Sequence, residues 1–441
     1  MRLLLVCLVP LLCSGLRAAP TAPAAPGWRF DFGPGPVAAG YTAVPSSQPF
    51  TVETGFGFEP GANITGIVHE GGDPLRADGL RAVQPSRFSV AAPEGTYLVT
   101  VTFGDASAAT NLTVKAEARR LMVEAATTAP GAYASRTFAV HVRNRRLPPP
   151  PLNAPGGTEV LTNDRERGSP TWDDKLTLEF GGPAANVCAV EIVPAPNLPT
   201  VFLAGDSTVT DQPSEPGASW GQMLTRFLQP GVVVANYAES GETLKSFSSE
   251  LRLAKLLSQM KAGDWLFIQF GHNDEKQQWP QTYVEAHTTY KAWLKVYISE
   301  ARRRGATPVL VTSMQRRTFD AAGRIKNTHG DYPQAVREVA QEENVAVIDL
   351  DRDSVRLYEA LGPERSPQAF SAGGRDATHH NNYGAYQLAK CVAQGIRAAQ
   401  LPLAAFIVED FASYDPAHPD PLETFAVPPS AGHSDIAPRG N

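Results

Sequence analysis

The sequence predicts an α/β fold: an open five-stranded parallel sheet with helices on both faces, preceded by an all-β sandwich of the jelly-roll kind. Two observations predict it. From Trp28 to about Ala195 the chain is a succession of short, alternating apolar segments separated by Gly and Pro turns, the pattern of a sandwich. From about Thr200 the rhythm changes to apolar strands that alternate with longer segments of helical spacing, the pattern of βα units around a parallel sheet. At 441 residues the chain has room for two such cores.

The chain opens on Met1-Arg-Leu-Leu-Leu-Val-Cys-Leu-Val-Pro-Leu-Leu-Cys-Ser-Gly-Leu-Arg-Ala-Ala19. A positive start, a short apolar core and small residues near Ala18 and Ala19 read as a secretory signal over residues 1–19. The apolar run is too short to span a bilayer, and no other segment approaches transmembrane length. A secreted or periplasmic protein is therefore expected. Pro20 to Pro26 is a Pro/Ala lead-in.

The first domain is expected over residues 27–195. Phe88-Ser-Val, the run from Pro93 to Gly104, Asn111-Leu-Thr-Val, Thr137-Phe-Ala-Val-His-Val and Leu176-Thr-Leu-Glu-Phe carry strand character. Arg145 to Gly157, with four consecutive prolines, reads as a loop inside this domain because strand-like segments resume beyond it. Pro194 to Pro199 is the expected linker.

The second domain is expected over residues 200–400. Its five strands are predicted at Val201–Ala204, Val232–Asn236, Trp265–Phe270, Pro308–Met314 and Val345–Leu350. Helices are predicted at Trp220–Leu228, Ser249–Lys261, Tyr283–Arg304 and Pro333–Glu343, with a last one from about Tyr383. Residues 401–441 form a Pro- and Asp-rich tail, expected to wrap the surface and to lose order by Gly432.

A formal charge of −6 leaves no basic footprint, which argues against nucleic acid as a partner. Removal of the signal takes Cys7 and Cys13 with it. Cys188 and Cys391 remain, either as a disulfide between the domains or as two buried thiols, and neither has a zinc ligand at the right spacing. Oligomeric state is not legible in the sequence.

In an open α/β sheet the ligand sits beyond the carboxyl ends of the strands. Gly205-Asp206-Ser207 follows the first strand, Asn236-Tyr-Ala-Glu-Ser-Gly241 the second, and Gly271-His-Asn273-Asp274 the third. A late loop carries Asp376-Ala-Thr-His379. Ser207 is a candidate nucleophile. Asp376, three residues before His379, can fix the tautomer of its ring and leave the other nitrogen for the serine proton. Gly241 can offer a backbone N–H and Asn273 a side-chain amide to an oxyanion. Each feature also has an ordinary reading: a Gly-Asp-Ser turn, a turn glycine, an Asx-turn, or a metal pair helped by His380.

These four blocks, in this order and spacing, resemble the SGNH (GDSL-type) hydrolases over roughly residues 200–400. The resemblance implies a three-layer α/β/α, flavodoxin-like domain with no metal or organic cofactor. It makes Ser207 the nucleophile, His379 the base, Asp376 its orienter, and Ser207 N–H, Gly241 N–H and Asn273 Nδ2 the oxyanion hole. Gly205-Asp-Ser-Thr-Val, Ser219-Trp-Gly-Gln, Phe270-Gly-His-Asn-Asp and Asp376-Ala-Thr-His look like the rhamnogalacturonan acetylesterase branch. So do Arg316-Arg-Thr-Phe-Asp-Ala-Ala-Gly and Thr328-His-Gly-Asp-Tyr-Pro333. Relatives often have glycine after the triad aspartate, where this chain has Ala377. The leading β-domain is similar to galactose-binding-like modules. The resemblance thus implies a serine esterase acting on an acetylated, pectin-type polysaccharide. The alternatives are an acetylesterase for xylan or another glycan, a lipase-like acyl esterase, and a carbohydrate-binding protein without activity.

Overall fold

A computed structural model describes residues 27–69 and 72–434. The expected signal at residues 1–19, with Cys7 and Cys13, lies outside the described residues. No helix among the described residues is long and apolar enough to cross a membrane.

The first half is β-rich. Its strands are β1 (Trp28–Phe32), β2 (Thr42–Val44), β3 (Phe56–Phe58), β4 (Ile64–Val68), β5 (Asp78–Ala82), β6 (Ser86–Ala91), β7 (Gly95–Gly104), β8 (Thr110–Ala116), β9 (Arg120–Thr128), β10 (Tyr133–Val142) and β11 (Lys175–Pro194), with one short helix, α1 (Pro74–Ala77). The 20-residue β11 organises them. Its first part pairs antiparallel with β6 and β8, and its second part with β1, β5 and β7. Alternate residues of these strands meet in one apolar core in which Phe30, Phe32, Phe58, Phe88 and Phe180 pack ring against ring.

The second half begins at β12 (Thr200–Gly205) and continues with β13 (Val233–Asn236), β14 (Trp265–Gln269), β15 (Thr307–Val311) and β16 (Ala346–Ile348). These pair in parallel in the order β13-β12-β14-β15-β16. Strands β12, β13 and β14 are buried throughout, as a sheet covered on both faces requires. One face packs on α2 (Trp220–Leu224), α7 (Leu350–Arg365) and α8 (Asn382–Ala398). The other packs on α3 (Leu244–Ser249), α4 (Arg252–Gln259), α5 (Lys291–Arg303) and α6 (Tyr332–Glu343).

Several elements differ from the sequence reading. The helix predicted at Ser249–Lys261 is two, α3 and α4, broken at Leu251 with φ 64°. Helix α7 was not anticipated, because its first turns are mostly charged and Gly362-Pro363 interrupts it. The tail keeps its place past Gly432: Glu215 N–H donates to Gly432 C=O (2.8 Å) and Ser434 N–H to Glu215 C=O (2.8 Å). Cys188 and Cys391 are separate buried thiols.

The two halves interlock. The stretch between β10 and β11 contains no strand, and its Val160 and Trp172 join the apolar core under α4. The turn from β8 to β9 sends Arg119 and Arg120 under the segment that follows β12. Arg120 Nε donates to Asp211 Oδ2 at 2.8 Å, with both side chains at 2% exposure or less. Arg119 Nη1 donates to the carbonyls of Gln212 (3.2 Å) and Gly217 (2.7 Å), and Arg119 Nη2 pairs with Glu215.

Candidate active site

Ser207 stands two residues past the end of β12, at the carboxyl edge of the sheet, where β12 lies between β13 and β14. Gly205 is required there for lack of room: a Cβ would lie 2.6 Å from Val209 Cγ2 and 2.9 Å from Gln269 C=O. Asp206 caps the turn beneath the serine, accepting from Thr208 N–H (2.9 Å) and Thr208 Oγ1–H (2.7 Å).

The histidine arrives on the loop before α8. Ser371 N–H donates to His379 C=O (2.9 Å), and Ala218 N–H donates to His380 C=O (2.8 Å), which ties this loop to the segment after Ser207. His379 Nε2 lies 2.9 Å from Ser207 Oγ, and His379 Nδ1 lies 2.8 Å from Asp376 Oδ2. A carboxylate can only accept, so Nδ1 carries the proton and Nε2 faces the serine hydroxyl as acceptor. Asp376 Oδ1 also accepts from Thr378 N–H (2.7 Å) and His379 N–H (2.9 Å). Burial alone would raise the Asp376 pKa, but the His379 bond and charge together with these two amides hold it well below the carboxylate range. The neighbouring His380, which a metal pair would need, is buried with its Nε2 2.7 Å from Tyr358 Oη.

Gly241 follows β13 with φ 85°, a conformation a side chain would strain. Neither Ser207 N–H nor Gly241 N–H has an acceptor among the described residues. Asn273 follows β14, and its Nδ2 donates to Glu242 C=O at 3.0 Å, which draws its loop against the one carrying Gly241. One amide hydrogen remains. Lys276 Nζ donates to Asn273 Oδ1 at 3.0 Å. An ammonium only donates and a carbonyl only accepts, so the two contacts together fix which way round the Asn273 amide sits.

Three neighbours were not anticipated from the sequence. Lys276 had a signal, since it stands one turn after Asn273. Gln212 Nε2 donates to Ser207 C=O at 2.8 Å. Arg165, from the loop between β10 and β11, donates through Nη1 to Gln212 Oε1 (2.9 Å) and through Nη2 to Glu239, whose Oε1 accepts from Ser240 N–H at 2.8 Å. Nothing local marks Arg165: it lies in a loop of another sheet, 42 positions before Ser207. Behind the serine, His272 Nδ1 lies 3.4 Å from Asp206 Oδ2. Burial pushes the His272 pKa down to about 4, so this ring is neutral.

The profile of the GDSL-like Lipase/Acylhydrolase family matches residues 203–387, the span that holds all five candidate residues. A second profile, Beta-agarase/YXIM esterase-like, galactose-binding domain-like, matches residues 28–147. The chain is 43% identical over 221 residues to rhamnogalacturonan acetylesterase RhgT of Bacillus subtilis, an alignment covering 47% of this chain and 94% of that protein. It is 40% identical over 213 residues to the probable rhamnogalacturonan acetylesterase YesY of the same organism, covering 48% of this chain and 98% of that one. Similarity to the uncharacterized esterase YxiM, also of Bacillus subtilis, is 26% over 380 residues and extends across both halves, covering 84% of this chain and 90% of YxiM.

Proposed function

The chain belongs to the GDSL-like lipase/acylhydrolase family and is a carboxylic ester hydrolase; we propose that it is a secreted serine esterase that removes acetyl groups from a pectin-type polysaccharide. The observation that carries the chemistry is the unbroken line from Ser207 Oγ through the His379 ring to Asp376, with contacts of 2.9 and 2.8 Å. The acetylated, pectin-type substrate is supported by the likeness to RhgT and YesY.

The geometry supports the following course. His379 Nε2 takes the Ser207 proton as Oγ attacks the acetyl carbonyl, and Asp376 steadies the imidazolium without itself taking a proton. The carbonyl oxygen becomes an oxyanion held by Ser207 N–H, Gly241 N–H and the free hydrogen of Asn273 Nδ2. His379 then returns the proton to the departing sugar hydroxyl, leaving acetyl on Ser207. Water, deprotonated by the same histidine, releases acetate and restores the serine.

The test is acetate release from acetylated rhamnogalacturonan, set beside acetylated xylan and acetylated homogalacturonan, with Ser207→Ala as the blank. Fastest release from rhamnogalacturonan is expected. Faster release from xylan would move the assignment to a xylan acetylesterase. Release from none, with turnover of long-chain p-nitrophenyl esters, would replace it with an acyl esterase.

A further inference from the structure

A cavity opens beside the proposed oxyanion site. Its volume is about 580 Å³, within the range of small-molecule sites. Gly241 and the loop from Gln278 to Thr282 both line it. Lys276, whose ammonium holds Asn273, lies over the ring of Trp279 with Nζ 4.3 Å from the centroid. The indole is therefore anchored to the same lysine that fixes the oxyanion amide.

The lining has a specific chemical character. The side chains of Gln278, Gln281 and Thr282 make no hydrogen bond among the described residues, so two amides and a hydroxyl have unused capacity beside one large flat ring. An aromatic face next to uncommitted amides suits a ring that is apolar on its C–H face and hydroxylated at its edge. The remaining wall is acidic. Glu242 and Glu250 both line the cavity, Arg252 Nε donates to Glu250 Oε2 at 3.0 Å, and burial pushes the Glu242 carboxyl well above its ordinary value. A carboxylate brought against this wall meets like charge at Glu250, the more exposed of the two, which is ion-paired with the buried Arg252.

We propose that this cavity is a glycan subsite that seats an uncharged pyranose next to the acetylated sugar, with Trp279 as its platform and Gln278, Gln281 and Thr282 as its hydrogen-bonding rim. The proposal rests on the glycan acetylesterase reading and adds which neighbouring sugar the site selects. The polysaccharide then passes from Ser207 over Gly241 towards Trp279, and the acetylated residue is recognised together with its neutral neighbour.

The test compares kcat/KM on acetylated rhamnogalacturonan oligosaccharides with kcat/KM on p-nitrophenyl acetate, which is too small to reach Trp279. In Trp279→Ala the ratio of the two is expected to fall by about tenfold, the worth of one well-made contact. Trp279→Phe is expected to restore most of it. A proportional fall on both esters overturns the subsite, because it places Trp279 behind the oxyanion amide instead; an unchanged ratio overturns it as well. If the parent enzyme turns over p-nitrophenyl acetate but none of the glycans, the glycan reading falls and the subsite with it. As inhibitors, a neutral xylo-oligosaccharide is expected to compete better than an oligogalacturonate of equal length, and the reverse order overturns the charge assignment.

Discussion

Lys276 Nζ donates to Asn273 Oδ1 at 3.0 Å while Asn273 Nδ2 donates to Glu242 C=O at 3.0 Å, so one side chain is gripped at both ends of its amide. A rotation of that amide would set ammonium against N–H and carbonyl against carbonyl. The hydrogen bond from Lys276 therefore fixes where the remaining hydrogen of Asn273 Nδ2 lies, the one proposed to meet the oxyanion.

Lys276→Met is expected to lower kcat by about ten- to a hundredfold with KM little changed, since a hydrogen bond from a charged group contributes about 1.5–3 kcal/mol. Lys276→Arg should recover part of the loss. Steady-state kinetics on p-nitrophenyl acetate measure it; an effect confined to KM would make Lys276 a substrate contact only.

Asn273→Ala removes the donor itself and should cost about 10² to 10³ in kcat. Ser207→Ala should leave no turnover. Retained activity in that variant would move the nucleophile elsewhere.

Because His379 must be neutral to accept the serine proton, kcat/KM should fall at acid pH along a single-proton limb. Asp376 is held far below that range, so it adds no second proton. Asp376→Asn should depress kcat by about 10⁴-fold, the size of effect associated with losing the ring's orientation. A pH-independent kcat/KM through the histidine range would exclude a histidine base.

Arg120 and Asp211 form a buried pair between the two halves, at 2.8 Å. Arg120→Met leaves the Asp211 carboxylate with only Asn236 Nδ2 at 2.8 Å and Arg143 Nη1 at 3.9 Å, and should cost at most about 3–5 kcal/mol of stability. Arg120→Met combined with Asp211→Leu should regain a large part of that loss. Denaturant unfolding of the four proteins gives the coupling directly; additive losses would show the pair to be independent.

Stability should also decline between pH 7 and 8, above the range in which the buried neutral rings of His141, His272 and His380, whose pKa values burial pushes down, make stability rise with pH. Burial pushes the Asp274 carboxyl up to about 8 and that of Glu117 up to about 8, whereas carboxyls in an unfolded chain titrate near ~4. Acids raised in the folded state stabilise it fully below the unfolded pKa, and that stability is lost as pH rises through the folded pKa. Asp376 is shifted the other way, so its contribution is lost only in stronger acid and does not oppose this trend. Asp274→Asn should flatten the pH dependence of the unfolding free energy, and an unaltered slope would show that Asp274 is not its source.

The sheet was legible because β12, β13 and β14 are buried on both faces and so read as plain apolar runs. The five candidate residues were legible because each follows such a run or lies in one short loop. What escaped was non-local. Helix α7 shows a charged first turn because Asp349 and Asp351 are spent on Arg337 of α6. Arg165 and Arg119 are basic residues in turns, and nothing near them in sequence tells that they lie under the segment that follows Ser207. Gln212 reads as a surface glutamine until its bond to Ser207 C=O is seen.

The linkage between β11 and β12 is short, yet the chain does not divide there in any physical sense. Arg119, Arg120 and Arg165 cross that border to hold Gln212, Asp211 and Glu239, while Gln222 Nε2 returns a bond to Ala118 C=O at 2.7 Å. A protease nick between Pro194 and Thr200 would leave two fragments that still migrate as one particle. Expression of residues 200–434 alone would expose buried carboxylates with no counter-charge. Exchanging the β-rich half for another module would therefore disturb the esterase itself, and family members that lack such a half must brace this segment by other means.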